Sequence, residues 1–158
     1  MVAVPLFNPK LYAPYYTRHN AGLIVYNALL TRFSKPPPKY VNLLPMNVNG
    51  ISVQRYVNKN NFELKDLLLM HDDFERGFGK ISLKFGGSAN GHNGVKSVIK
   101  SLKSHQFWRL RIGLGKPEGN PADWVLSELN QDEIVQLESL ADVILQDGNI
   151  SRYIKDYI

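Results

Sequence analysis

The sequence predicts an α/β fold in a single domain. Segments with strand patterns alternate with segments of helical periodicity along the 158 residues, and such alternation is typical of this class. Leu67 to Met70 is a short continuous apolar run, which suits a fully buried strand. A hydrophobic content of 44% and a charged content of 21% are ordinary for a globular protein of this length.

The first half of the chain is predicted to contain two strands and two helices. Val2 to Phe7 is apolar enough for a strand, although Pro5 weakens the pattern. An amphipathic helix is predicted from Asn20 to about Arg32, and the proline-rich residues 34–39 form a stiff connector after it. The remaining elements here are a strand from Tyr40 to Leu44 and a short helix from Ile51 to Val57.

The second half contains the clearest patterns. Lys80 to Phe85 alternates strictly between polar and apolar residues, as a half-buried strand does. A helical stripe of Val95, Val98, Ile99 and Leu102 follows it, and Phe107 to Gly113 is the next strand. Gly115 to Pro121 is expected to be a loop. Asp132 to Leu145 is an amphipathic helix that ends at Asp147-Gly148.

Three basic faces lie within about thirty residues of the sequence. The net charge is +5 and the isoelectric point is about 9.4. Lysines and arginines line two strand faces and one helix face, and any one face could simply be solvated. Together they favour contacts with phosphates, and therefore a nucleic-acid partner. These residues are Lys80, Lys84, Lys96, Lys100, Lys103, Arg109 and Arg111.

Several classes of protein are disfavoured by what the sequence lacks. There is no cysteine, so disulfides and thiolate chemistry are excluded. No apolar run approaches the roughly 20 residues of a membrane span, so no membrane partner is expected. No signal or transit peptide is visible at the first residues. We expect a cytoplasmic protein, or one of the mitochondrial matrix if a presequence is absent from this chain.

The candidate chemistry centres on residues 67–94. His71, Asp72 and Asp73 follow the apolar run, at the edge of a sheet where open α/β folds bind ligands. His19, just before a predicted helix, is a candidate general base, and Asp72 is a suitable carboxylate to orient it. The other histidines, His71, His92 and His105, are rivals for the role of base. Asn93, in a glycine-rich loop, could donate to an oxyanion or to a peptide carbonyl.

No cofactor and no metal are expected from the motifs. The histidines and acids lack the spacing of a metal site. The glycine-rich loop of residues 86–94 matches neither the P-loop nor the dinucleotide fingerprint.

Several ordered motifs resemble those of the bacterial-type peptidyl-tRNA hydrolase family across nearly the whole chain. The residues that carry this resemblance are Asn8-Pro9; Thr17-Arg18-His19-Asn20-Ala21-Gly22; Met46-Asn47 with Gly50; His71-Asp72 together with Gly91-His92-Asn93-Gly94; and Arg109-Leu110-Arg111-Ile112-Gly113.

The resemblance implies a mixed, mostly parallel sheet flanked by helices. It also implies hydrolysis of the ester between a peptide and tRNA, without a metal or a covalent intermediate. His19 would activate water, Asp72 would orient His19, and Asn93 would contact the peptide or the oxyanion. The other positions expected to contact peptidyl-tRNA are Asn8, Tyr15, Tyr16, Asn47, Lys84, Lys96 and Arg111. We expect a monomer.

The sequence also departs from the family pattern. The family's Gly-Leu-Gly-Asn-Pro-Gly is replaced by Pro5-Leu6-Phe7-Asn8-Pro9-Lys10, and the segment between about residues 21 and 45 is shorter by about two strands. Two alternatives therefore stay open at this point. One is a non-catalytic RNA-binding relative, similar to the plant organellar splicing cofactor of the same fold. The other is an esterase for small N-acylated aminoacyl esters.

Overall fold

A four-stranded mixed sheet forms the centre of the molecule, which we describe for residues 2–158 from a computed structural model. The strand order is β1-β2-β4-β3. The first three strands in that order run parallel, and β3 pairs antiparallel with β4. The elements are β1 Val2–Pro5, α1 Ala21–Leu30, α2 Gly50–Lys59, β2 Leu67–Asp73, β3 Ile81–Phe85, α3 Asn93–Leu102, β4 Trp108–Gly113, α4 Pro121–Val125, α5 Gln131–Gln146 and α6 Gly148–Ser151.

Helices cover both faces of the sheet, because alternate residues of the buried strands point to opposite sides. Leu68 and Met70 of β2 pack with α1 and α5 in one core. Leu67 and Leu69 pack with α2 and α3 in the other. The α/β class and the mixed, mostly parallel sheet are thus confirmed.

One helix from each layer begins near the carboxyl end of β2. Residues 18–20 form a 3₁₀ turn that leads into α1 on one side of the sheet, and α3 begins at Asn93 on the other. Gly22 permits the close approach of α1, since a Cβ at this position would lie 2.5 Å from the carbonyl oxygen of Met70. Polar residues that are far apart in the sequence therefore meet at this edge.

The predicted strand from Tyr40 to Leu44 is wrong. These residues form an irregular segment, in which the side chain of Asn42 takes over the local hydrogen bonding. Its Nδ2 donates to the carbonyls of Phe7 and Leu44, and its Oδ1 accepts from the Leu44 amide. Asparagine competes with sheet pairing in this way, so the apolar pattern alone was misleading.

Other boundaries differ from the predictions in smaller ways. β2 continues through His71, Asp72 and Asp73, which the pattern had placed after the strand. The short helix α4 was not predicted. Its first turn is capped by Asn120, whose Oδ1 accepts from the amides of Ala122 and Asp123. No helix within residues 2–158 is long and apolar enough to cross a membrane.

Candidate active site

Asp72 is the centre of a cluster that contains two histidines. His19 Nδ1 lies 2.8 Å from Asp72 Oδ2 and 2.9 Å from Oδ1. His92 Nε2 lies 2.8 Å from Asp72 Oδ1, and the centroids of the two imidazole rings are 4.9 Å apart. The carboxylate is 2% exposed, whereas the two imidazoles are 13% and 10% exposed. A buried acid thus holds two histidines that reach towards solvent.

The hydrogen bonds fix the tautomers of these rings. His19 donates from Nδ1 to Asp72, which leaves its Nε2 with a lone pair that can accept a proton. His92 Nδ1 accepts from the Val95 amide at 3.2 Å, so its proton lies on Nε2 and is donated to Asp72. Of this pair, His19 is therefore the ring prepared to act as a base.

The electrostatics of the cluster favour an ionised Asp72. Burial opposes this charge, but the attraction and hydrogen bonds of His19 and His92 outweigh it and hold the pKa of Asp72 well below its usual range. For His19, burial disfavours the imidazolium, and the charge and hydrogen bonds of Asp72 more than compensate. The pKa of His19 is therefore raised above 6.5.

His92 was treated in the sequence as a rival base beside the better candidate Asn93, and its contact with Asp72 was not foreseen. The ring is the N-cap of α3, because its Nδ1 accepts the Val95 amide. This use of one nitrogen aims the other at the carboxylate. The available signal was the position of His92, three residues before Val95, the first residue of the predicted helical stripe, since polar residues just before a helix often cap it.

A cleft of about 250 Å³ opens beside the cluster. It brings together five of the residues that the sequence singled out, namely His19, Asp72, Asn93, Lys84 and Arg111. These residues come from five different elements, and the register of β3 and β4 supplies the two cations. An acid, a base, an amide and two cations in one cleft suit the hydrolysis of an ester on an anionic substrate.

The other residues that were predicted to contact the substrate do not line this cleft. They are Asn8, Tyr15, Tyr16, Asn47 and Lys96. Asn8 is buried, and its Oδ1 accepts from the Met46 amide at 2.7 Å. The hydroxyl of Tyr15 is hydrogen-bonded to Asn27, and the Tyr15 ring stands edge-on to Tyr16.

Three of these five residues remain accessible outside the cleft. Tyr16 is 43% exposed. Asn47 and Lys96 are exposed as well. Their contact with a substrate stays a prediction.

Arg109 does not belong to an open basic face, and this part of the sequence interpretation is wrong. Its side chain is 2% exposed and donates to the carbonyls of Gly87 and Ser88, at 2.6 Å each. Both arginines line the cleft, but the neighbouring Arg111 is less buried and donates to Ser82 Oγ. Strand alternation gave the correct face, but a face can be covered by a loop. Arg109 therefore supports the glycine-rich loop.

Arg18 connects the turn that bears His19 to the last third of the chain. Its guanidinium donates to Ser127 Oγ, to the Glu128 carbonyl and to both carboxylate oxygens of Glu133. It also lies over the ring of Trp124, 5.0 Å from the centroid. The turn that carries the base is thus fixed between α1 and the segment from α4 to α5. No sequence signal identified these partners.

The three side chains at the centre could in principle hold a metal ion. One ligand atom each from His19, Asp72 and His92 lies within 4.8 Å of the others. However, a metal on His92 Nε2 would move that ring's proton to Nδ1, which faces the Val95 amide donor. Two donors would then oppose each other. The donor set therefore fits a proton network better than a metal.

Comparisons with known proteins agree on one family. The family model described as "Peptidyl-tRNA hydrolase" matches residues 40–151. A peptidyl-tRNA hydrolase from Mycoplasma capricolum is 33% identical over 162 aligned residues, which cover 89% of this chain and 84% of that protein. One from Pelagibacter ubique is 34% identical and covers 81% of this chain and 80% of that protein.

Solved structures resemble the whole fold. The Arg119Gln mutant of peptidyl-tRNA hydrolase from Acinetobacter baumannii has a TM-score of 0.77 at 25% identity, and covers 98% of this chain and 93% of that chain. A peptidyl-tRNA hydrolase in complex with N-propanol has a TM-score of 0.79 at 26% identity, and covers 98% of this chain and 89% of that chain.

Proposed function

The chain belongs to the peptidyl-tRNA hydrolase family and is a hydrolase of the ester bond in peptidyl-tRNA, and on this premise we propose that His19 is its general base. The observation that carries the proposal is the orientation of His19, whose Nδ1 is held by Asp72 so that Nε2 is available. The similarity to proteins named as hydrolases favours this function over a non-catalytic RNA-binding relative.

The reaction begins with water. His19 Nε2 takes a proton from a water molecule as its oxygen adds to the ester carbonyl, and the resulting imidazolium is stabilised by the ionised Asp72. The tetrahedral intermediate then collapses, and the bond to the ribose oxygen breaks. The proton on His19 passes to this leaving oxygen, which restores the base. The products are a free peptide and tRNA, and no covalent enzyme intermediate is needed.

Asn93 is our candidate for stabilising the intermediate. It is exposed in the cleft, one residue after His92 and at the first position of α3. The side-chain amide can donate to the developing oxyanion, and the positive end of the helix dipole favours negative charge there. Asn93 would therefore contact either this oxygen or a carbonyl of the peptide.

The tRNA would be bound through its phosphates. Lys84 and Arg111 lie on neighbouring strands and both line the cleft, so they are our first candidates for phosphate contacts. Lys96, exposed on α3, would extend this contact beyond the cleft. Asn8, Tyr15, Tyr16 and Asn47 stay candidates for contacts outside the cleft.

We further propose that the enzyme acts as a monomer and without a metal ion. The second proposal rests on the hydrogen bonds of His92, which use both of its ring nitrogens. The relatives named above come from bacteria, and nothing among them favours the mitochondrial matrix over a bacterial-type cytoplasmic setting. We therefore propose the cytoplasm.

A hydrolysis assay with paired substrates tests the proposed function. Wild-type protein should release the peptide from N-acylaminoacyl-tRNA and spare aminoacyl-tRNA with a free amine. His19→Ala should lower turnover by about 10²–10⁴-fold, the usual contribution of a general base. His105→Ala is a suitable control, because His105 is exposed and lies outside the cleft. Near-normal turnover of His19→Ala would transfer the role of base to another group.

Asn93→Asp tests the oxyanion contact. It removes a donor and adds a negative charge where negative charge develops, so we expect a loss in turnover of at least about 10²–10³-fold with tRNA binding largely retained. A wild-type protein that binds tRNA but never releases the peptide would contradict the hydrolase function and favour the RNA-binding relative.

A further inference from the structure

His71 has a buried ring nitrogen without a partner. Its Nδ1 donates to the backbone carbonyl of Asp72 at 2.8 Å, so Nε2 has a free lone pair. Among residues 2–158 no group donates to this Nε2. The residue is only 5% exposed, yet it lines the cleft. Because buried polar groups in native proteins nearly always have partners and His71 lines the cleft, this nitrogen is available as an acceptor for a group of the substrate.

At neutral pH, Nε2 of His71 is unprotonated and acts only as an acceptor. Burial, together with the neighbouring His92 and Arg109, lowers the pKa of His71 to about 3. The ring cannot turn over without breaking its bond to the Asp72 carbonyl. Its edge-to-face contact with His92, at 4.9 Å between ring centroids, also holds it in place. Nε2 is therefore a fixed acceptor.

The position of His71 indicates which part of the substrate it meets. In the register of β2 and β4, His71 lies directly opposite Arg111, and the next residue along β2 is Asp72, which holds His19. His71 is therefore the backbone neighbour of both the cation Arg111 and Asp72, the residue that holds the base. At the 3′ end of peptidyl-tRNA the ribose lies between a phosphate and the ester. With the phosphate at Arg111 and the ester at His19, the ribose would come close to His71.

We propose that His71 Nε2 accepts a hydrogen bond from the ribose hydroxyl that is vicinal to the ester. This inference rests on the proposed function. It makes His71 a specificity-determining residue, because the 2′-hydroxyl distinguishes RNA from DNA. A site built to bond a hydroxyl rejects the analogue that lacks it, since its own polar group is then left unpaired. The cleft would thus select ribonucleotide 3′ ends.

Two substitutions separate the two nitrogens of the ring. In His71→Asn the amide nitrogen can occupy the place of Nδ1 and keep the bond to the Asp72 carbonyl, while the acceptor at the Nε2 position is lost. In His71→Gln the side-chain amide reaches the Nε2 position and can present an oxygen there. Thermal unfolding of both variants measures any cost to the fold separately from the effect on specificity.

The experiment compares two minihelix substrates with an N-acylated amino acid on the 3′ oxygen of the terminal adenosine. One carries the 2′-hydroxyl and the other is 2′-deoxy. For each variant, kcat/KM for the ribose substrate is divided by kcat/KM for the 2′-deoxy substrate. Dividing this ratio by the same ratio for wild type cancels the intrinsic reactivity of the esters. We expect His71→Asn to reduce the wild-type preference for the ribose substrate by at least about fivefold, and His71→Gln to retain most of it.

An unchanged ratio in a folded His71→Asn variant would overturn the inference while leaving the hydrolase function intact. Wild-type protein that cleaves neither substrate would overturn both. If the variants do not fold, an NMR measurement on wild-type protein provides a separate test. The ¹⁵N resonance of His71 Nε2 should shift when an uncleavable, amide-linked ribose minihelix is added. It should not shift with the 2′-deoxy form, and equal shifts with both would also overturn the inference.

Discussion

Replacing Asp72 with asparagine should impair catalysis without changing the shape of the site. The carboxylate accepts from His19 and His92, and both contacts are 2.8 Å at their shortest. An amide has one acceptor oxygen, and its nitrogen would oppose the N–H of whichever ring faced it. His19 Nδ1 lies within 2.9 Å of both carboxylate oxygens, so the amide nitrogen would face the N–H of His19 in either orientation. Both orientations therefore disturb the base.

The size of the loss follows from the bond that is removed. A hydrogen bond to a charged group contributes about 1.5–3 kcal/mol. At about 1.36 kcal/mol for each tenfold change in rate, this corresponds to roughly 10–150-fold. The disturbed tautomer of His19 adds to this, so we expect a total loss in kcat/KM of about 10²–10⁴-fold, the range of general-base catalysis.

The pH profile of Asp72→Asn should also shift. His19 must be unprotonated to act, so activity falls as the pH drops through its pKa, which Asp72 raises above 6.5. In the variant the negative charge is gone, while burial still opposes the imidazolium. The pKa of His19 then falls, and the acidic limb of the profile should move to lower pH.

Peptide release from N-acylaminoacyl-tRNA, measured as kcat/KM between about pH 5 and 9, tests both expectations. Asp66→Asn makes the same chemical change just before the opposite end of β2 and should stay within about threefold of wild type. Thermal unfolding should confirm that both variants are folded. Activity of Asp72→Asn close to wild type, or an acidic limb that moves to higher pH, would refute the role assigned to the carboxylate.

Three further predictions concern the cations, the second histidine and metal ions. Lys84→Ala and Arg111→Ala should weaken tRNA binding and reduce the slope of log K against log salt by about one each. Turnover of an acylated nucleoside should change little, and equal losses on both substrates would assign these residues to the fold. His92→Asn can still accept the Val95 amide but not reach Asp72, so turnover should fall at near-normal thermal stability. His92→Gln should retain more turnover, because its amide can reach Asp72, but it should lose the cap of α3. The loss of the cap should lower the free energy of unfolding by about 0.5–2 kcal/mol, measured by denaturant unfolding. Prolonged treatment with a chelator should leave kcat unchanged, and recovery of lost activity on adding a divalent ion would contradict the metal-free mechanism.

The pairing of His19 with Asp72 could be predicted because the residue types are diagnostic. A histidine at the start of a helix and an acid at the end of a buried strand suggest each other chemically. The contact from His92 could not be predicted in the same way. It depends on α1 and α3 beginning at the same edge of the sheet, on opposite faces. Topology of this kind is not encoded in any local pattern.

Two errors show where local patterns fail. Arg109 alternates correctly along β4, but its face is covered by a loop whose carbonyls it binds. Tyr40 to Leu44 has strand-like composition, but Asn42 satisfies the backbone with its own side chain. Periodicity gives the direction in which a side chain points. What it meets there depends on distant parts of the chain.

The contacts of Arg18 also affect the stage of synthesis at which a new molecule can become active. Its partner Glu133 follows 115 residues later in the chain, so ribosomes need roughly 6–23 s to reach it at about 5–20 residues per second. Until then the turn that carries His19 lacks its anchor on α5. A growing copy of this protein is itself a peptidyl-tRNA. Dependence of the site on the last third of the chain would keep the unfinished enzyme inactive while it is still attached to its own tRNA.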